Sequence, residues 1–284
     1  MRVRPGSSGS IDPLKGYTTP RTPRGLSSLA PAPPWHYAST ALAIEFTADP
    51  VKTARFLPAE LEATGDGRCA VYFADWQFAT DDGEEYLDPV RSQYKETIFL
   101  IAAQYQGEPV AYCPFIFVDQ DVSLMRGLVQ GWPKQFGTVW ITRAAALPSK
   151  AAPTETAGGK FGATLSVRDH RVVEARVTLQ EVTERRPSPT FARGVNVRYF
   201  PTLEAGKHDQ PPVHELVQLK SRNVQFSTIW TGDAALQIFD HPHLEIGDLA
   251  PTTVGAGFRF SFAFTVDDVV PLKDLRKTLV TSRD

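Results

Sequence analysis

The sequence predicts an α+β chain that is mainly antiparallel β-sheet, a closed or nearly closed β-barrel with few short helices. Three observations carry this prediction. Segments with the β-branched and aromatic bias of strands recur from residue 41 to residue 266. Short turn-like connections separate several of them, and only two segments carry the boundary signals of helices. A sheet this extended has fewer exposed edges if it closes on itself.

Residues 1–34, with PGSSGS and APAPP, have too few apolar residues for a core element and read as a flexible or extended N-terminal arm. The ordered body, 35–284, is expected to be a single domain starting near Trp35. ALAIEF (41–46), AVYFADWQF (70–78), ETIFLIAAQY (96–105) and PVAYCPFIFV (109–118) are strand candidates. The last two are joined by QGE, a hairpin connection containing Gly. TVWIT (138–142), KFGATLSV (160–167) and VVEARVTLQEV (172–182) follow, with RDHR as a second hairpin turn. VNVRYF, HELVQLKS, VQFSTIW, ALQIF and FRFSFAFTV continue the pattern to residue 266. One helix is expected over PVKTARFLP (50–58), with Asp49 as N-cap and Pro50 at the first helical position. The other covers DVSLMRGLVQG (121–131), capped by Asp121, with Val122, Met125 and Val129 as its apolar face.

Composition excludes several classes. A net charge of −2 over 284 residues, with no basic run interleaved with aromatics, gives no reason to expect a nucleic-acid partner. No run approaches the roughly 18 apolar residues of a membrane span. Arg2 and Arg4 lack the apolar stretch of a signal peptide behind them, so a cytoplasmic location is expected. The two cysteines, Cys69 and Cys113, form no CxxC pair and read as small buried hydrophobes.

The most informative stretch is VDQDVSLMRGLVQGWPKQFG (118–137). On a helix ending near Gly131, Arg126 and Gln130 share a face. Lys134 follows, between Trp132-Pro133 and Phe136. Such a lysine is either desolvated, with a lowered pKa and nucleophilic amine, or a surface lysine resting its stem on Trp132. Glu96, at the start of a long apolar strand, is either a carboxylate facing the interior or a strand-end surface charge. Local composition leaves both pairs of alternatives open.

Three ordered motifs resemble the acetoacetate decarboxylase superfamily. Trp132-Pro133-Lys134-Gln135-Phe136-Gly137 is similar to its aromatic-Pro-Lys-Lys-Leu-Gly pattern. WTGDAALQIFDH (230–241), with Asp248-Leu249 downstream, is similar to its Trp-Thr-Gly…Asp-His segment, and Tyr94-Lys95-Glu96 to its Tyr-x-Glu. The resemblance covers roughly residues 20–270. It implies a cone-like barrel in a homo-oligomer, with Lys134 as an imine-forming lysine and Glu96 as general acid/base. No metal or organic cofactor is implied.

Departures from the pattern are specific. Gln135 stands where the family has a second lysine, Leu128 where it has a glutamate, and Ser39 near the place of its carboxylate-binding arginine. This resembles the branch performing aldol condensation with dehydration, or cyclisation, on 2-oxo acids such as pyruvate, with an aldehyde co-substrate. Gln130, Arg126 and Trp132 are then the substrate-binding residues, although Arg126 could instead pair with Asp121. Decarboxylation of a 3-oxo acid and a non-catalytic ligand-binding barrel are the alternatives. His241-Pro242-His243 with Glu245 has a superficial metal-ligand spacing but belongs to the family's own turn. Gly255-Ala256-Gly257 opens a strand and is no dinucleotide fingerprint. There is no G-x-S-x-G motif.

Overall fold

The computed structural model describes residues 13–147 and 149–276; the first part of the N-terminal segment, 1–12, lies outside them. In chain order the first half contains β1 (Trp35–Ala48), α1 (Pro50–Arg55), β2 (Glu62–Ala63), β3 (Arg68–Ala79), α2 (Pro89–Ser92), β4 (Gln93–Tyr105) and β5 (Glu108–Val118). Next come α3 (Asp121–Gln130), β6 (Lys134–Phe136), β7 (Thr138–Ile141), β8 (Lys160–Val167) and β9 (His170–Thr183). The chain continues through β10 (Arg193–Phe200), β11 (Val213–Phe226), β12 (Ile229–Ile238) and β13 (Pro251–Asp274).

All thirteen strands among the described residues belong to one sheet, eleven of them in the order β1-β3-β4-β5-β10-β11-β13-β12-β9-β8-β7, with β2 beside β4 and β6 beside β5. Because β1 also pairs with β13, seven strands (β1, β3, β4, β5, β10, β11 and β13) close into a ring. Closure depends on the length of β13. Its first half pairs with β1 and β12, and its second half with β11. The remaining strands β12, β9, β8 and β7 extend from β13 and cover part of the ring's outer face. Leu42, Ile44, Val71, Phe73, Phe99 and Phe117 of the ring pack there against Val139, Phe161, Leu165, Val173 and Val177 of the extension.

Strand periodicity separates that core from a second one inside the ring. Tyr37, Ala41, Tyr72, Trp76, Phe78, Tyr94, Leu100, Phe258, Phe260 and Phe262 lie at alternate positions and pack together. Both faces of β3 and β4 are therefore covered, which accounts for their nearly continuous apolar sequences.

The expected hairpins form with tighter turns than the sequence suggested. Tyr105 pairs with Glu108, leaving Gln106 (φ 55°) and Gly107 (φ 81°) as the loop. Arg168 (φ 48°) and Asp169 (φ 65°) likewise connect β8 to β9. Two-residue loops with positive φ match the twist of the strands they join. VQFSTIW is split at Ser227-Thr228 between β11 and β12. Asp49 caps α1, accepting from the N–H groups of Val51 and Lys52 at 2.8 and 3.1 Å.

Helix α3 corrects two expectations. Gln120, not Asp121, occupies the N-cap position; Asp121 accepts only from the adjacent Val122 N–H. The buried face is Ser123, Arg126, Gly127 and Gln130, whereas Val122, Met125 and Val129 are half-exposed. A polar stripe at i, i+3, i+4 and i+7 turns inward because the helix borders a polar site. Glycines at 255 and 257 serve close approach. A Cβ at Gly255 would lie 3.0 Å from the Glu45 carbonyl oxygen, and one at Gly257 would crowd Val177.

Phe117 is fully buried between the ring and the covering strands. Replacing it by alanine is expected to cost about 3–5 kcal/mol of stability, measured by chemical denaturation.

Candidate active site

Glu96 points into the ring because it shares the inward face of β4 with Tyr94, Ile98 and Leu100. Its neighbour across the sheet is Ala74, and Tyr94 stands opposite Trp76. The small Ala74 leaves room for the carboxylate. The Trp76 indole N–H donates to Glu96 Oε1 at 3.1 Å. Lys134 opens β6, which pairs in parallel with β5 through Ile116. Its Nζ lies 2.6 Å from Glu96 Oε2 and donates to Ser123 Oγ at 2.9 Å. The two ion-pair side chains are only 8 % and 4 % exposed.

The end of α3 delivers the lysine to this position. Gly131 adopts φ 89°, and the N–H groups of Trp132 and Gly131 bond to the carbonyls of Gly127 and Leu128. This left-handed termination reverses the chain and satisfies the last helical carbonyls. Lys134 then runs back across the helix. Its Cγ, Cδ and Cε occupy the space that a side chain at Gly127 would need. Glycine at 127 is thus a requirement of the lysine's path.

Arg126 lies one helical turn from Gln130 on the same buried face. Its guanidinium is centred 3.4 Å from the Phe78 ring centroid and 5.4 and 5.5 Å from those of Tyr37 and Tyr94. Although the residue is 1 % exposed, none of its three side-chain nitrogens has a hydrogen-bond partner among the described residues. Pairing with Asp121 is not observed; Asp121 lies at the exposed start of the helix. Cation–π contact offsets part of the desolvation of Arg126 and leaves its donors free. Lys134 Nζ is 5.4 Å from the same Tyr94 ring.

Burial lowers the pKa of Lys134, and the Arg126 cation acts in the same direction, while Glu96 opposes both. The neighbouring cation missing at Gln135 is therefore supplied from the helix. Burial raises the Cys113 thiol well above its usual range and Cys69 to about 12, so both remain protonated.

Of the five residues singled out from sequence, Lys134 and Glu96 are in contact. Arg126 and Gln130 border the same interior, and Trp132 is half-buried against its aromatic lining. Sequence reasoning missed Ser123, Gly127, Trp76 and the aromatic cage of Tyr37, Phe78 and Tyr94. The helical spacing of Ser123, Arg126, Gly127 and Gln130 carried a signal for the first two. Ser39, also buried, has no partner for its hydroxyl among the described residues. The family-like anchors elsewhere are structural. His241 Nε2 donates to the Val167 carbonyl at 3.2 Å, its Nδ1 accepts from the His243 N–H, and Asp248 pairs with Lys52.

Gly127→Ala should break the buried ion pair. The expected loss of about 3–5 kcal/mol exceeds the roughly 1 kcal/mol of helix propensity that alanine returns, and a denaturation curve reads the difference. Acylation of Lys134 by an amine-reactive ester, followed by mass spectrometry, should accelerate with rising pH around a midpoint below the ordinary 10.5. Glu96→Gln removes the group that favours the ammonium and should shift the midpoint lower. Arg126→Met should shift it higher.

Comparison with known proteins agrees with this arrangement. The family model described as acetoacetate decarboxylase (ADC) matches residues 18–275. The enduracididine biosynthesis enzyme MppR, complexed with the condensation product of pyruvate and imidazole 4-carboxaldehyde, has a TM-score of 0.87 and 38 % identity, covering 95 % of this chain and 99 % of that one. MppR complexed with pyruvate gives 0.86 and 37 %, covering 92 % and 99 %. An acetoacetate decarboxylase-like enzyme from Sphingomonas wittichii RW1 shares the fold with a TM-score of 0.82 at 23 % identity, covering 92 % and 100 %. No match was found among curated proteins. Family match, ring topology and the buried lysine–glutamate pair lead to one conclusion: the chain belongs to the acetoacetate decarboxylase family.

Proposed function

We propose that this protein is a Schiff-base lyase that condenses a 2-oxo acid such as pyruvate with an aldehyde and then eliminates water. The observation that carries this reading is the unpartnered guanidinium of Arg126 beside the buried Lys134. A buried cation without a counter-charge is costly, and a small carboxylate entering the ring would relieve that cost. Likeness to MppR, whose structures hold pyruvate and a pyruvate–aldehyde condensation product, supports the same substrate class.

The chemistry can be assigned to side chains already described. Within the ion pair, a proton passes from the Lys134 ammonium to Glu96, leaving a neutral amine. The amine attacks C2 of the 2-oxo acid, and Glu96 returns the proton to the departing hydroxyl as water leaves. In the resulting iminium the C3 protons are acidic. Glu96 removes one, and the enamine adds through C3 to the aldehyde carbonyl. Protonation of the new alkoxide, loss of a second C3 proton and departure of the hydroxyl as water give a conjugated iminium. Its hydrolysis releases an unsaturated 2-oxo acid and restores Lys134. Arg126 and Gln130 hold the carboxylate, and Ser123 and Trp76 hold the amine and Glu96 in register.

Borohydride reduction in the presence of pyruvate should trap an adduct on Lys134, detected by mass spectrometry and absent from Lys134→Ala. Addition of an aromatic aldehyde should yield an unsaturated 2-oxo acid. Trapping with acetoacetate but not pyruvate, with release of carbon dioxide, would instead assign decarboxylation; no adduct with either would refute imine chemistry on these substrates. Arg126→Met should reduce pyruvate trapping by about 10-fold to 100-fold, the value of a charge-assisted hydrogen bond. The same variant should gain stability of about 1–4 kcal/mol, because it removes an uncompensated buried charge.

A further inference from the structure

A cavity of about 370 Å³ opens beside Trp132, large enough for a small ligand. Its inner wall includes Tyr72, Leu100 and Phe262, which belong to the same packed interior as Tyr94 and Trp76. The Trp132 carbonyl in turn accepts the backbone N–H of Lys134 at 2.8 Å. This cavity therefore lies against the aromatic packing around the lysine site, with Trp132 next to both. Phe191 forms part of its rim and packs edge-on against Phe226, Phe260 and Phe262.

All the charge in this lining has one sign. Arg186, Arg193 and Lys220 border the cavity, and no aspartate or glutamate does. None of the three forms an ion pair among the described residues. The adjacent Arg185, by contrast, is paired with Glu45 at 2.6 Å, and Glu45 also accepts the Ser188 N–H at 2.7 Å, which fastens the loop. Arg186 instead lies over Phe226, 4.3 Å from its centroid. Arg193 Nε and Thr190 Oγ1 are buried without a hydrogen-bond partner among the described residues. Arg126 already accounts for the carboxylate of the 2-oxo acid, so these unpaired donors call for a second anion.

We propose that this cavity opens onto the lysine site as the subsite for the aldehyde, and that it selects an aldehyde with a flat apolar body ending in a carboxylate. The body lies against Trp132, Phe191 and Phe262, and the carboxylate meets Arg193 and Arg186. The aldehyde carbon then faces the enamine on Lys134. This assignment rests on the condensation reading for its aldehyde, but the anion site can be measured independently of the chemistry.

The test compares binding of 4-(hydroxymethyl)benzoate and benzyl alcohol, unreactive mimics of an acidic and a neutral aldehyde, to the whole protein by calorimetry at low salt. The acid should bind at least about tenfold more tightly, as charge-assisted pairing with arginine implies. That advantage should disappear in Arg193→Gln and shrink in Arg186→Gln, whose exposed side chain makes the second variant safe for folding. Equal binding of the two mimics overturns the proposal. So does an advantage retained in both variants, which would place the acid elsewhere, for example on Arg126. Borohydride trapping of the wild-type protein with pyruvate runs in parallel and tests the condensation reading alone. Trapping without a carboxylate preference refutes the anion site and leaves the lyase. A preference dependent on Arg193 without trapping refutes the lyase and leaves the anion site.

Discussion

Lys134 and Glu96 meet inside a closed ring of strands, where water cannot screen either charge, and much of the surrounding architecture follows from that contact. Desolvating two ions is worthwhile only with close geometry and further hydrogen bonds. Trp76 supplies one to the carboxylate and Ser123 one to the amine. Gly127 removes a side chain from the lysine's path, and the left-handed Gly131 turns the chain so that a residue beyond the helix reaches back over it. Each of these features would be a mild defect elsewhere: a glycine within a helix, a buried serine, a polar helix face turned inward.

Arg126 extends the same logic. An ammonium and a guanidinium share the aromatic surroundings of Tyr94 with a single carboxylate, so these side chains carry an excess of positive charge. This excess disfavours the lysine ammonium and favours an anionic ligand at once. One uncompensated cation therefore acts in two ways, drawing anions and lowering the pKa of Lys134. The aromatic cage matters here because it holds the guanidinium in place without consuming its hydrogen-bond donors.

The ring's rigidity comes from packing on both sides. Interior aromatics fill the space around the site, while β12, β9, β8 and β7 cover the opposite face with aliphatic side chains. The anchors in WTGDAALQIFDH serve this second layer. Thr231 donates to the Gly257 carbonyl, and His241 secures the turn after β12 through Val167. These bonds show that a family motif can mark a joint of the fold.

The sequence by itself determined the strand-rich character of the chain, nearly every strand and both principal helices, because alternation and local boundary signals are properties of short segments; Lys134 and Glu96 stood out only through the family motifs around them. It also contained the polar stripe of α3. The apolar set at Val122, Met125 and Val129 competed with that stripe, and only the surroundings of the helix could decide which face was buried. Ring closure needed the pairing of β1 with β13, more than two hundred residues apart in sequence. Likewise, Trp76, Phe78 and Tyr94 become partners of Glu96 and Arg126 only through cross-strand register and helix placement. Whether Arg126 would meet an acid or remain unpaired was a matter of three-dimensional neighbours. Tertiary structure decided it by enclosing the guanidinium in aromatic rings.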